Sequence, residues 1–311
     1  MKTGFGKKCS PVKNTKYPYS PELPKPVQIN NIDFEDPQRR RVMMKFREFN
    51  NWQVKELGYP VINFGSTPCY RVEPDSSDIL PAILYFHGGA FVFPMETMML
   101  RNARFYSDKL NVRVFLPEYL LAPEHPFPEP FEECCGCYKY LLEHCSELKV
   151  DPQRIIIYGD SAGGTMAASV CQWARDTGLH MPAAQFLMYM AADDTFDYPS
   201  IEEYADSKWP KSAYEQIWPL YYKNGYCGMP QYAVPMKSRR FDSLPPAYVE
   251  LCQCDILHDE GLAYADAMKS SGVDVTIEDV AGAYHGYDFA GDSPLVGRML
   301  LRRCSEMKKY I

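Results

Sequence analysis

The segment Gly159-Asp160-Ser161-Ala162-Gly163 constrains this 311-residue chain more tightly than any other. It follows directly on the apolar run Ile155-Ile156-Ile157-Tyr158 and leads straight into Gly164-Thr165-Met166-Ala167-Ala168, a helix-compatible stretch of mostly small residues. A strand that turns into a helix over so few residues brings two backbones close together. The glycines two places either side of the serine remove the Cβ atoms that would otherwise collide, and the hydroxyl is left clear of the backbone. Taken alone the pattern decides little: with glycine and serine each at ~7% of residues, it arises by chance in roughly one chain in ten of this length. Its surroundings decide.

Around that turn the apolar periodicity alternates. Strands are expected over 81–86, 111–117, 154–158 and 184–190, with helices over 97–109, 130–145 and 162–176 between them. Repeated strand–helix units predict an α/β fold, a mostly parallel sheet with helices on both faces. Residues 61–72 read as edge strands. Asp36-Pro37 opens an amphipathic helix, with aspartate as N-cap and proline at the first helical position. Val42, Phe46, Phe49 and Gln53 follow at helical spacing, with Met43 and Trp52 flanking the apolar side. The alternation breaks over about 194–240, an insertion with ten aromatic residues among its 47. The chain thus divides into an N-terminal arm and helix over 1–60 and a body over 61–311 that carries the insertion.

Further chemistry-bearing residues stand at other strand ends. Ile83-Leu84-Tyr85-Phe86 runs into His87-Gly88-Gly89-Ala90, where paired glycines present unobstructed backbone N–H groups. Those of Gly88 and Gly89, with that of Ala162 after the serine, are the expected donors to a developing oxyanion. Tyr248-Val249-Glu250-Leu251 reads as a strand before Cys254-Asp255, and Val273-Asp274-Val275-Thr276-Ile277 as another before His285-Gly286. Ser161 read simply would be a helix N-cap. The chain order Ser161, Asp255, His285 instead suits nucleophile, orienting carboxylate and general base. Asp259 competes with Asp255 but falls at a helix start, where a carboxylate serves the N-terminal dipole. His87 is read as shaping the Gly88-Gly89 turn, the remaining histidines as surface, turn or helix residues, and Asp160 and Glu124 as structural.

These motifs resemble the hormone-sensitive-lipase-like branch of the α/β-hydrolase esterases, from about residue 80 to the C-terminus. The resemblance rests on His87-Gly88-Gly89-Ala90-Phe91, the stretch from Tyr119 to Pro128, Asp151-Pro152, Gly159 to Gly164, Pro245-Pro246-Ala247, the stretch from Asp255 to Gly261, and Tyr284-His285-Gly286. Ala90 replaces the family's third glycine and narrows the space beside the oxyanion hole. Glu118-Tyr119-Leu120-Leu121 replaces its Asp-Tyr-Arg-Leu and alters a buried polar contact. The resemblance implies an α/β-hydrolase fold with a helical cap and a carboxylic ester hydrolase with a Ser-His-Asp triad. No metal or organic cofactor is implied, and the expected partner is a small-molecule ester. Two other readings use the same fold: an amidase or deacetylase with the same triad, and a non-catalytic binding protein. Amines leave less readily than alcohols, and receptors of this family have lost the catalytic histidine that His285 supplies.

Bulk properties narrow the setting. A net charge of −7 speaks against a nucleic-acid partner, which needs a basic face. The first thirty residues are the exception, with six lysines against Glu22 alone, and read as an arm lying on an acidic body. No apolar run approaches membrane-spanning length. Eleven cysteines without disulfide-rich spacing suit a reducing, cytoplasmic location. Cys134, Cys135 and Cys137 read as helix-packing thiols, and Cys252 and Cys254 as sharing one face of a strand. A homo-oligomer is compatible with all of this. Rings crowded into the insertion predict a cap that, with the N-terminal helix, restricts the substrate to short acyl chains.

Overall fold

Residues 18–28 and 36–311 are described by the structure, a computed structural model. Most of the lysine-rich arm, at 1–17, lies outside the described residues, as do residues 29–35. Eight strands form one sheet: β1 (Val61–Phe64), β2 (Thr67–Val72), β3 (Leu80–Phe86), β4 (Arg113–Pro117), β5 (Val150–Asp160), β6 (Ala184–Met188), β7 (Ala247–Cys252) and β8 (Val275–Val280). Their order across the sheet is β1-β2-β4-β3-β5-β6-β7-β8. β1 pairs antiparallel with β2, and β2 with β4; every pairing beyond β4 is parallel.

Side-chain alternation divides the core between the two faces. Ala82, Leu84, Phe86, Ile155 and Ile157 belong to one apolar cluster, while Ile83, Tyr85, Ile156 and Tyr158 belong to the other. The first is covered by α3 (Glu129–Glu143), the short α4 (Cys145–Leu148), α5 (Ala162–Thr177) and α9 (His258–Ser270), the second by α2 (Thr97–Leu110) and α10 (Pro294–Met307). A strand buried on both faces has no polar side to show, which is why β3 reads as a continuous apolar run with every residue buried. Residues 194–240 hold the short helices α6 (Pro199–Glu203), α7 (Lys211–Tyr221) and α8 (Pro230–Ala233).

Two expectations fail. The N-terminal helix α1 (Pro37–Glu56) opens at Pro37 as read, but its apolar stripe is not its buried face. Arg47, Asn50 and Val54 are buried, whereas Val42, Phe46, Phe49 and Trp52 are exposed. Spacing identifies a stripe; what the stripe meets depends on the rest of the fold. Cys252 and Cys254 do not share a face either. β7 ends at Cys252, so the chain has already turned at Cys254, and the two thiols lie in opposite apolar clusters.

Residues 18–28 are docked on the body. Ser20 N–H donates to the Gly282 carbonyl at 2.9 Å, Leu23 is buried, and Arg298 grips Glu22 at 2.8 and 2.9 Å.

Candidate active site

β5 ends at Asp160 and α5 starts at Ala162, so Ser161 alone makes the turn, with φ 53° and ψ −121°. A side-chain-bearing residue held at positive φ is strained, and the neighbourhood must enforce it. Ser161 N–H donates to the Met188 carbonyl at the end of β6 at 2.8 Å. A Cβ on Gly159 would come closer than 3.0 Å to the Gly163 carbonyl, and one on Gly163 closer than 3.0 Å to the Phe86 and His87 carbonyls. All of these are backbone atoms, which cannot step aside. Both glycines are therefore demanded by the crossing of strand and helix.

Three loops bring the other groups to this turn. Ser161 Oγ lies 2.8 Å from His285 Nε2, and His285 Nδ1 lies 2.6 Å from Asp255 Oδ2. Asp255 is fully buried and His285 is 7% exposed. A carboxylate only accepts, so Nδ1 carries the proton and the Nε2 lone pair faces the serine. Asp259, the rival carboxylate, is engaged elsewhere: its oxygens take the Ser200 N–H at 2.9 Å and His258 Nδ1 at 2.7 Å.

The expected oxyanion donors need one correction. Gly88 N–H donates to Asp160 Oδ2 at 3.1 Å, which leaves it unavailable to a ligand. A Cβ on Gly88 would strike that same carboxylate, so its glycine serves close approach to Asp160. Gly89, Ala90 and Phe91 follow at φ 125°, 53° and 60°, turning the loop sharply toward the serine. The N–H groups of Gly89, Ala90 and Ala162 have no acceptor among the described residues. His87 shapes the turn from beneath: its Nδ1 lies 2.7 Å from Gly88 O, its ring stacks on Tyr119, and the Tyr119 hydroxyl donates to His87 O at 2.6 Å. Burial lowers its pKa to about 4, so the ring is neutral. Burial likewise raises Asp160 to about 7.

An apolar cavity opens on Ser161, lined by Phe91, Tyr214, Ile217, Ile256 and Leu257, with Trp209 beside His285. Tyr214, Ile217 and Trp209 come from the insertion. Beside ring packing on Phe91, polar contacts fasten it. The Tyr214 hydroxyl donates to Glu260 at 2.8 Å, and the same carboxylate accepts the Ala192 N–H at 2.7 Å. Among the described residues no group of three or more His, Cys, Asp or Glu is arranged to hold a metal.

One set of residues had no signal in the sequence. Arg303 of α10 is fully buried and bonds Glu250 Oε2 at 2.8 Å and Asp288 Oδ2 at 2.8 Å. Glu250 lies on the strand that leads to Asp255, and Asp288 lies three residues after His285. Tyr189 donates to Asp288 Oδ1 at 2.6 Å and presents its ring to His285 at 5.1 Å. A single guanidinium thus ties together the supports of two loops. Buried charges survive only when paired in this way.

Sheet order, crossover helices and the serine turn together define an α/β hydrolase. A family model for the alpha/beta hydrolase fold matches residues 83–289. Esterase LipI of Mycobacterium tuberculosis is 32% identical over 228 residues, spanning 71% of this chain and 70% of that protein. Ethyl acetate hydrolase of Pseudomonas putida is 28% identical, spanning 66% of this chain and 65% of its own length. The hyperthermophilic esterase from the archaeon Pyrobaculum calidifontis superimposes with a TM-score of 0.79 at 27% identity, over 87% of this chain and 93% of that one. The chain belongs to the hormone-sensitive-lipase-like carboxylesterase family of α/β hydrolases.

Proposed function

We propose that this chain is a serine carboxylesterase that hydrolyses short-chain acyl esters. Ser161 is the nucleophile, His285 the general base and acid, and Asp255 the carboxylate that orients it. The observation that carries this reading is the run of short hydrogen bonds from Ser161 Oγ through His285 to buried Asp255, at the mouth of an apolar cavity. A serine hydroxyl is too weakly acidic to attack unaided, so Nε2 takes its proton as Oγ bonds to the ester carbonyl carbon. The N–H groups of Gly89, Ala90 and Ala162 stabilise the resulting oxyanion. Collapse breaks the bond to the alkoxy oxygen, which leaves as alcohol with the proton from His285. Water then adds to the acyl-enzyme, gives its proton to His285, and releases the acid as Ser161 regains its hydrogen.

The cavity walls support the acyl preference. Buried Ile217, Ile256 and Leu257 close it beside Ser161 and leave no long apolar channel among the described residues for an extended chain. Ethyl acetate, in the name of one relative, carries a short acyl group. Two measurements test the proposal. Ser161→Ala should lose roughly 10³- to 10⁶-fold in turnover and all labelling by a fluorophosphonate probe; retention of more than about a tenth of turnover removes the nucleophile assignment. Across acyl groups from acetyl to palmitoyl on one leaving group, activity should peak between about two and six carbons, where each added methylene still gains ~0.8 kcal/mol of burial. A maximum at twelve or more overturns the short-chain reading.

A further inference from the structure

The acyl cavity accounts for one side of an ester. The alcohol side, and the exposed stripe of α1, have no assignment, and they meet in one place. Arg47 pins α1 to the loop that follows the oxyanion turn, donating to Val92 O and Ala122 O at 2.6 Å and pairing with Glu124 at 2.8 Å. Its neighbour Phe46 is thereby set edge-on to Phe93, with ring centroids 5.8 Å apart. Phe93 is edge-on to Trp209 at 6.4 Å, and Trp209 is edge-on to His285 at 6.1 Å. Lys208, adjacent to Trp209, lies 3.4 Å from Gly286 O and over the rings of Tyr284 and Phe289, which holds Trp209 against the histidine loop. A continuous lane of rings therefore runs outward from the imidazole. Two of its rings reach solvent: Trp209 is half-buried and Phe46 is 44% exposed, while Phe93 between them is buried.

The direction of the ester follows from chemistry. The leaving oxygen must receive its proton from His285 Nε2, so the alcohol lies on the histidine side. The opposite end of the cavity is closed by residues that are at most 5% exposed. The alcohol therefore points along the open side, across Trp209 and Phe93 toward Phe46. We infer that the substrates are short-chain esters of aromatic alcohols, whose ring packs against Trp209 and Phe93 with Phe46 as the outer wall. This rests on the serine-esterase reading above. Planar rings in edge-on or offset contact gain beyond the area they bury, roughly threefold to tenfold in affinity per pair, which a saturated ring of equal size does not. The same contacts give exposed Phe46 of the α1 stripe a place at this edge of the site.

The test compares benzyl acetate with cyclohexylmethyl acetate, which share an acyl group and a carbon count and differ in planarity. The full-length protein should favour benzyl acetate by at least about threefold in kcat/KM, the difference lying mainly in KM. Phe46→Leu and Trp209→Leu keep apolar bulk but remove a ring, and each should bring the ratio toward one. No preference in the unsubstituted protein overturns the inference. A preference that survives both substitutions overturns its assignment to this lane. Ser161→Ala run on the same pair separates the two proposals: if it abolishes hydrolysis of both esters while the parent shows no aryl preference, only the inference fails. If it leaves hydrolysis intact, the serine reading itself fails.

Discussion

The two walls of the site are built from different materials. On the body side the geometry is made by backbone: Ser161, Gly89, Ala90 and Phe91 all stand at positive φ, and Gly88, Gly159 and Gly163 permit approaches that no Cβ would allow. On the insertion side it is made by side chains: Tyr214 packs on Trp218, Trp218 packs on Phe91, and Trp209 stands edge-on to His285. A backbone wall has few ways to change and holds reacting groups to a narrow geometry. A side-chain wall can change shape one residue at a time, as a specificity surface requires.

The sharpest way to break this contrast is to add one methyl group to each kind of glycine. Gly163→Ala should fail to yield a folded, active protein, because its Cβ would meet the Phe86 and His87 carbonyls. Gly136→Ala, at an exposed position of α3 with nothing within 4 Å, should instead raise stability by about 0.5–1 kcal/mol. Thermal melts of both read the difference, and a Gly163→Ala protein with normal Tm and turnover would contradict the close-crossing account.

A smaller effect is expected where the insertion is fastened. Tyr214→Phe deletes the hydroxyl that bonds Glu260, a carboxyl whose pKa burial raises well above the usual range. A buried group left short of a partner costs about 1–3 kcal/mol, which urea unfolding should register with the m-value unchanged. An unaltered midpoint would show that Glu260 does not depend on this contact.

The smallest effects are in pH dependence, and two histidines should act with opposite sign. Burial holds His87 near 4 against an unfolded value of about 6.5. Its contribution is present above pH 6.5 and is lost as pH falls through about 4. His258 sits between Asp259 at 2.7 Å and Asp279 at 3.4 Å; burial lowers its pKa, but the two carboxylates outweigh that and raise it to about 9. Its contribution is present below pH 6.5 and is lost as pH rises through about 9. His258→Gln should therefore be less stable than the parent at pH 6 and converge with it above pH 9. A stability gap independent of pH would show that His258 acts by packing alone.

Legibility differed in the same way across the molecule. The strands bordering the site were readable because they are buried on both faces and ran as apolar blocks ending in glycine, serine or aspartate. Ser161 and Asp255 stand just beyond such blocks, and His285 stands in the loop after a late alternating strand. Gly88 was misread because a glycine pair signals close backbone approach without saying to what; here the partner is Asp160, 72 residues away. Arg303 was invisible because its carboxylates lie 53 and 15 residues off, at no periodic spacing. Spacing marks the apolar stripe of α1, but helical spacing alone does not say which neighbour arrives.

By itself the sequence determined the alternation of strand and helix, the sharp turn at Ser161 and the loop positions of Asp255 and His285. Period, glycine placement and apolar run length act locally, and any chain with them meets the same steric limits. Only the tertiary structure decided which loop N–H groups near the serine stay without an acceptor, which ring stands beside His285, and how one buried guanidinium joins two loops. Those outcomes depend on distances between segments far apart in the chain, and burial makes each pairing obligatory once the segments meet.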